Sequence, residues 1–246
     1  MGEETGEPGT KYLLLNKKIV GDFGIVLEPT NLKVATAING LVWFNIRFLG
    51  KATHASSPEY GVNAISKAVN FCNKIESYSL KLKKREHRLL GSPKISLTMI
   101  KGGIKENIIP ESCLLSLDRR VIPSESLELA EKEILNLLEE LKREDKDLNY
   151  EYWRSGNYEP AEIPENSIIA NVVRKNVELV TGEKQGPFGL PAATDMRNFV
   201  NDAKIPAVTF GPGGLKEAHS IDEYVEIKEL IYATKILTLT IKDLLS

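Results

Sequence analysis

The stretch Leu41-Val42-Trp43-Phe44-Asn45-Ile46-Arg47-Phe48 alternates apolar and polar positions and is rich in aromatic and β-branched residues, so it reads as a strand with one buried face. Downstream, Val62 to Ile75 places apolar residues at helical spacing. Lys94 to Ile100 and Cys113 to Val121 are two more strands, with Gly102-Gly103 between them. Ser124 to Arg143 is an amphipathic helix opened by a serine cap with glutamate in its first turn, and Leu148 to Arg154 is a final strand. The order β-α-β-β-α-β predicts a two-layer, ferredoxin-like α+β unit with both helices on one face of an antiparallel sheet.

On either side the pattern changes. Lys11–Leu15 and Gly24–Leu27 are short apolar runs that read as buried strands or as a helix turning into a strand, and Lys33–Ile38 is a further strand. Beyond Pro160 and Pro164, helices are expected over about Asn166–Val180, Thr194–Val200 and Ile227–Leu245, with a strand at Ala207–Phe210. These flanks read as α/β. The expected organisation is one discontinuous domain, 1–40 with 160–246, and an inserted domain at 41–159.

Of the 246 residues, 42% are hydrophobic and 27% charged, with 32 Lys and Arg against 34 Asp and Glu, giving a formal net charge of −2. That balance, without a basic stripe, argues against a nucleic-acid partner. No apolar run approaches the length of a membrane span, and Met1 to Pro8 is acidic, unlike a secretory leader. Cys72 and Cys113 lack metal-ligand spacing and read as buried thiols, so a soluble cytoplasmic protein is expected.

Several short motifs carry chemistry. Gly2-Glu3-Glu4-Thr5-Gly6 sets two carboxylates in a glycine-rich turn, where one can bind a metal and the other can act as a base. Glu28, in Gly24-Ile25-Val26-Leu27-Glu28-Pro29-Thr30, ends an apolar strand, where a carboxylate can bind a cation or cap a turn. His54 lies in the polar loop Gly50 to Pro58 and suits donation to a substrate oxygen. Gly211-Pro212-Gly213-Gly214 precedes Ala218-His219-Ser220, a bare backbone followed by an imidazole able to hold zinc.

Together with Asn107-Ile108-Ile109-Pro110, Asp118-Arg119-Arg120 and Ala193-Thr194-Asp195-Met196-Arg197, these motifs resemble, in order and spacing, the peptidase M20 family. That family contains acetylornithine deacetylases, succinyl-diaminopimelate desuccinylases and carboxypeptidase G2-like enzymes. The resemblance implies a zinc-peptidase-like catalytic domain holding two zinc or cobalt ions and an inserted lid domain that forms a homodimer. It also implies hydrolysis of the amide bond of an N-acyl amino acid or dipeptide. Glu3 then corresponds to the general base, Glu4, Glu28 and His219 to metal ligands, and His54 to a lid histidine that stabilises the oxyanion in the other subunit. Asn107 corresponds to a substrate-positioning residue and Arg120, or Arg119 one place before it, to a carboxylate-binding arginine. Thr194 and Gly213 correspond to groups at the substrate's other end, while Arg197 either pairs with the substrate carboxylate or braces its helix.

The family's His-x-Asp and bridging Asp precede its double glutamate. An N-terminally truncated chain with doubtful metal occupancy and little activity alone is therefore expected. The alternative is a non-catalytic dimerising or binding protein of the same descent.

Overall fold

A computed structural model describes residues 9–218 and 220–246. The chain forms two compact units: a continuous one, Gly40–His87 with Gly91–Tyr158, and a composite one built from residues up to Asn39, Arg88–Leu90 and Glu159–Ser246.

In chain order the elements are α1 (Gly9–Leu15), β1 (Gly24–Val26), β2 (Ala35–Ile38), β3 (Gly40–Leu49), β4 (Thr53–His54), α2 (Ala64–Leu82), β5 (Lys94–Gly102), β6 (Ile108–Ile109) and β7 (Ser112–Val121). There follow α3 (Leu127–Glu144), β8 (Asn149–Tyr158), β9 (Ala161–Glu162), α4 (Ile168–Thr181), β10 (Phe188–Leu190), β11 (Ala207–Thr209) and α5 (Ile227–Leu245).

The continuous unit carries a four-stranded sheet in the order β5-β7-β3-β8, antiparallel throughout. That order is the ferredoxin-like one. Alternation along β3 buries Val42, Phe44, Ile46 and Phe48 completely, and β7 buries Cys113, Leu115 and Leu117 on the same face. Helix α2 presents Ala64, Ala68, Phe71, Ile75, Tyr78 and Leu82 as one stripe at spacings of three and four, and α3 does the same with Leu127, Ala130, Ile134, Leu138 and Leu141. The two stripes and the sheet face merge into one core cluster. Asn63 caps α2 by accepting from the amides of Ile65 and Ser66. The serine cap of α3 is Ser126, not Ser124: its hydroxyl accepts from Leu129 N at 3.0 Å, and residues 122–125 form a turn before it.

The composite unit has a mixed sheet of short strands, β1-β11-β2-β10, with β9 also on β2. β1 and β11 run parallel, as do β2 and β10, while β2 is antiparallel to β11 and β9. All four residues of β2 are buried, and its core includes Ile169, Val173 and Val177 of α4 with Ala233 and Ile236 of α5. The Lys11–Leu15 run is helical, burying only Leu14, and thus takes the helical option. The expected helix at Thr194–Val200 becomes a turn running into a wide π-helical segment, Asn198–Asp202. Strand β10 escaped the sequence reading, because three residues are too short for a period to register.

Among the described residues no helix is long and apolar enough to cross a membrane. Cys72 and Cys113 are free thiols, and burial pushes both above the usual thiol range.

Candidate functional site

In the continuous unit, β4 and β6 form a two-stranded ribbon that pairs His54 with Ile108 and Thr53 with Ile109. Ala55 N donates to Asn107 O at 2.9 Å, so His54, at the end of β4, and Asn107, in the turn that leads into β6, are neighbours although 53 positions apart in sequence numbering, and both are exposed. The Ser56 amide donates to His54 Nδ1 at 3.2 Å, and the Ser56 hydroxyl lies 2.8 Å from the same nitrogen. A backbone amide can only donate, so Nδ1 is the acceptor and Nε2 carries the ring proton as an outward donor. Beside the ribbon is a cavity of about 320 Å³ with Ala52, Gly103, Ile104, Ile108 and Pro110 in its lining.

Arg119 and Arg120 part company on β7. Arg119 shares the helix-covered face with Cys113, Leu115 and Leu117 and is fully buried. Its Nη2 donates to Glu125 at 2.7 Å and its Nε to the Tyr78 hydroxyl at 3.3 Å. Arg85 joins this network through Glu125 and Glu133, and the Tyr78 hydroxyl donates to Glu133. Burial alone would raise the Glu133 carboxyl, but hydrogen bonds from Arg85 and Tyr78 and the charges of Arg85 and Arg119 outweigh it and hold the group below the usual carboxylate range. Arg120, on the opposite face, is partly exposed and makes a bidentate pair with Asp118. Only Arg120 of the two is open to a ligand.

In the composite unit, Glu28 follows β1 and is half-buried, with partners of its own. The chain after β1 is tied to the chain after β11 by Thr30, whose hydroxyl donates to Gly211 O at 3.1 Å and lies 3.0 Å from Gly211 N. A Cβ at Gly211 would lie 2.5 Å from Glu28 O, a close approach that only glycine allows. Gly213, at φ +75°, donates its amide to Glu229 at 2.6 Å and accepts from Asn31 N at 2.6 Å, so both its backbone groups are paired.

Thr194 is buried, its hydroxyl 3.2 Å from that of Thr209 and accepting from Met196 N. Arg197 donates to Thr194 O at 3.1 Å, and its Nη2 lies 4.0 Å from Asp195 Oδ1. Glu3, Glu4 and His219 lie outside the described residues. Among the described residues no three His, Cys, Asp or Glu side chains are grouped so as to hold an ion, so these residues alone do not make a metal centre.

The four-stranded antiparallel sheet under two helices and the short-stranded α/β unit occur together in solved structures, and the fold has several matches. It matches an aminopeptidase from Bacillus cereus with a TM-score of 0.79 at 20% identity, covering 100% of this chain and 63% of that one. A tripeptidase from Staphylococcus aureus matches with a TM-score of 0.81 at 20% identity, over 98% of this chain and 62% of that one. Residues 36–146 match the peptidase dimerisation domain of the M20 family.

Residues 36–146 thus belong to the peptidase M20 dimerisation-domain family, and the chain is similar to curated enzymes along most of its length. It is 30% identical to an acetylornithine deacetylase of Aliivibrio fischeri over 230 residues, 91% of this chain and 58% of that protein. It is 28% identical to a probable succinyl-diaminopimelate desuccinylase of Staphylococcus aureus over 254 residues, 92% of this chain and 61% of that protein. The chain thus spans about three fifths of the length of these relatives.

Proposed function

We propose that this chain serves metal-dependent hydrolysis of the amide bond of an N-acyl amino acid, of the deacetylase or desuccinylase kind, as a cytoplasmic homodimer. The observation that carries the reading is the ribbon that sets His54 beside Asn107 and leaves Nε2 of His54 as an outward donor. A donor so placed suits the oxygen on which negative charge grows when an amide carbonyl is attacked. Asn107 positions the substrate next to it, and Arg120 binds the free carboxylate of the amino acid. In the composite unit Thr194 and Gly213 act through the loops they hold, since their own polar groups are already paired, and Arg197 braces the turn at Thr194. The reading assigns zinc or cobalt ions to Glu4, Glu28 and His219, and the general base to Glu3.

The names of the deacetylase and desuccinylase relatives support the choice of substrate class. The homodimer is supported by the dimerisation-domain match and by β5, an edge strand on which Leu97, Met99 and Ile100 are exposed. That match also favours a second reading, a dimerising protein without catalysis, because residues 36–146 fall almost wholly in the continuous unit.

The two readings separate in one assay of the chain, supplied with zinc or cobalt, on N-acetylornithine and N-succinyl-diaminopimelate. Hydrolysis predicts amine release that a chelator stops and that loses about 10²–10³-fold in kcat, with KM little changed, in His54→Ala. Release no faster than in buffer from either substrate, by a chain that still sediments as a dimer, would leave the second reading standing.

A further inference from the structure

Arg120 lies on the sheet face that the helices leave uncovered, and its side chain is 33% exposed. A long cationic side chain in that position ordinarily samples many rotamers, and fixing it to bind a ligand has an entropic cost. Three neighbours restrain this one. Its Nε donates to Asp118 Oδ1 at 2.7 Å and its Nη2 to Asp118 Oδ2 at 3.1 Å, committing one edge of the guanidinium fork. Asp118 is held in turn by Trp43, the residue directly across from it on β3, whose Nε1 donates to Oδ2 at 2.9 Å. Behind the strand, the buried Arg119 donates to the backbone carbonyl of Arg120.

The local backbone makes room for Trp43. The β3–β8 register shifts between Val42 and Trp43, and Gly156 on β8 takes φ +67°. A Cβ at Gly156 would lie 2.5 Å from an indole carbon, so the ring occupies space that only glycine leaves empty. Among the described residues nothing engages Nη1 of Arg120. Nη1 and the second hydrogen of Nη2 therefore remain as a parallel pair of donors, a geometry that matches the two oxygens of a planar carboxylate. Because Asp118 balances the charge of Arg120, recognition at this edge depends on the fork's geometry more than on net charge.

We propose that Asp118, anchored by Trp43, is a positioning residue that sets Arg120 to receive a carboxylate end-on through Nη1 and Nη2. The proposal rests on the reading of Arg120 as the carboxylate-binding residue.

The test titrates the ¹⁵N-labelled chain with N-acetylglycine, using N-acetylglycinamide as the control without a carboxylate. Binding is followed at the Nε–H of Arg120 and at the indole N–H of Trp43, one of only two tryptophans. The acid is expected to give a saturable shift at both positions and the amide none, and Arg120→Ala should abolish the binding. Trp43→Phe keeps an aromatic ring and the charge of the site but removes the donor to Asp118, and should weaken binding by about three- to tenfold. If Trp43→Phe lowers the melting temperature, Asp118→Asn is read in the same titration and should weaken binding and speed solvent exchange of the Arg120 Nε–H.

Wild-type affinity in a folded Trp43→Phe or Asp118→Asn, with Arg120→Ala still inactive in binding, would overturn the positioning role and leave the carboxylate reading intact. Undiminished binding by Arg120→Ala, or no preference of the wild type for the acid, would overturn both.

Discussion

Strands in the sheet of the continuous unit run nine or ten residues, whereas those of the composite unit run two to four. In the first, a long antiparallel ladder fixes register, and alternation along its central strands sends one set of side chains to the helices and the other to the open face. In the second the strands are too short to specify register by pattern, and pairing depends on individual contacts at strand ends, such as the hydroxyl of Thr30 on Gly211. A fold written in periodicity tolerates surface change but not the loss of a buried partner. A fold written in single contacts is sensitive at those contacts.

The largest effect is expected where the continuous unit buries charge. Arg119→Ala removes the fully buried partner of Glu125 and leaves Arg85 as the cation facing Glu125 and Glu133, so it should cost about 3 kcal/mol, the low end for breaking a buried ion pair, in a urea titration. A loss under about 1 kcal/mol would mean that water reaches the two carboxylates and that the network contributes little. Next, in the composite unit, Thr30→Val keeps the shape but leaves Gly211 without its hydroxyl partner, and should cost about 1–3 kcal/mol. An unchanged midpoint would show that helices α4 and α5, not the strand-end contacts, hold that sheet.

The gentlest perturbation is acid. Glu131 and Glu133, both in the continuous unit, have carboxyls held below their usual range, Glu131 because hydrogen bonds from Tyr152 and Arg154 outweigh its burial. A depressed folded-state value means that the stabilisation is complete above the unfolded-state value, near pH 4.3, and is lost as pH falls through the folded-state value. Melting temperatures measured from about pH 6 down to pH 3 should therefore decline towards the acid end, less steeply in a Glu131→Gln, Glu133→Gln double variant.

The same contrast explains what the sequence made legible. Val42–Phe48 and the stripes of α2 and α3 are long enough for period to identify them, and the β-α-β-β-α-β order follows from them. β10 and the β4–β6 ribbon, at two or three residues each, carry no period and exist through pairing with distant chain. That Arg119 faces the helices was available to a stricter count, since Cys113, Leu115 and Leu117 place residue 119 on the helix face. Nothing in the letters marks Trp43 as a partner of Asp118, because cross-strand register is a property of the folded ladder. The ordered motifs pointed to His54, Asn107 and Arg120 by type, while the tautomer of His54 emerged only with the Ser56 amide in place.

The hydroxyl of Thr30 grips a residue 181 positions further along the chain. During synthesis, everything needed for the continuous sheet has been made once Tyr158 is added, while β1 must wait for Ala207–Thr209 before it has a strand to join. Contacts this distant are slow to form, so the two units should mature at different times, with the 40–158 ladder gaining hydrogen-exchange protection before the β1–β11 pair in a pulse-labelled refolding experiment. Until the later strand arrives, the apolar residues around β1 have no sheet to shelter in, and that interval is when the chain is most exposed to aggregation.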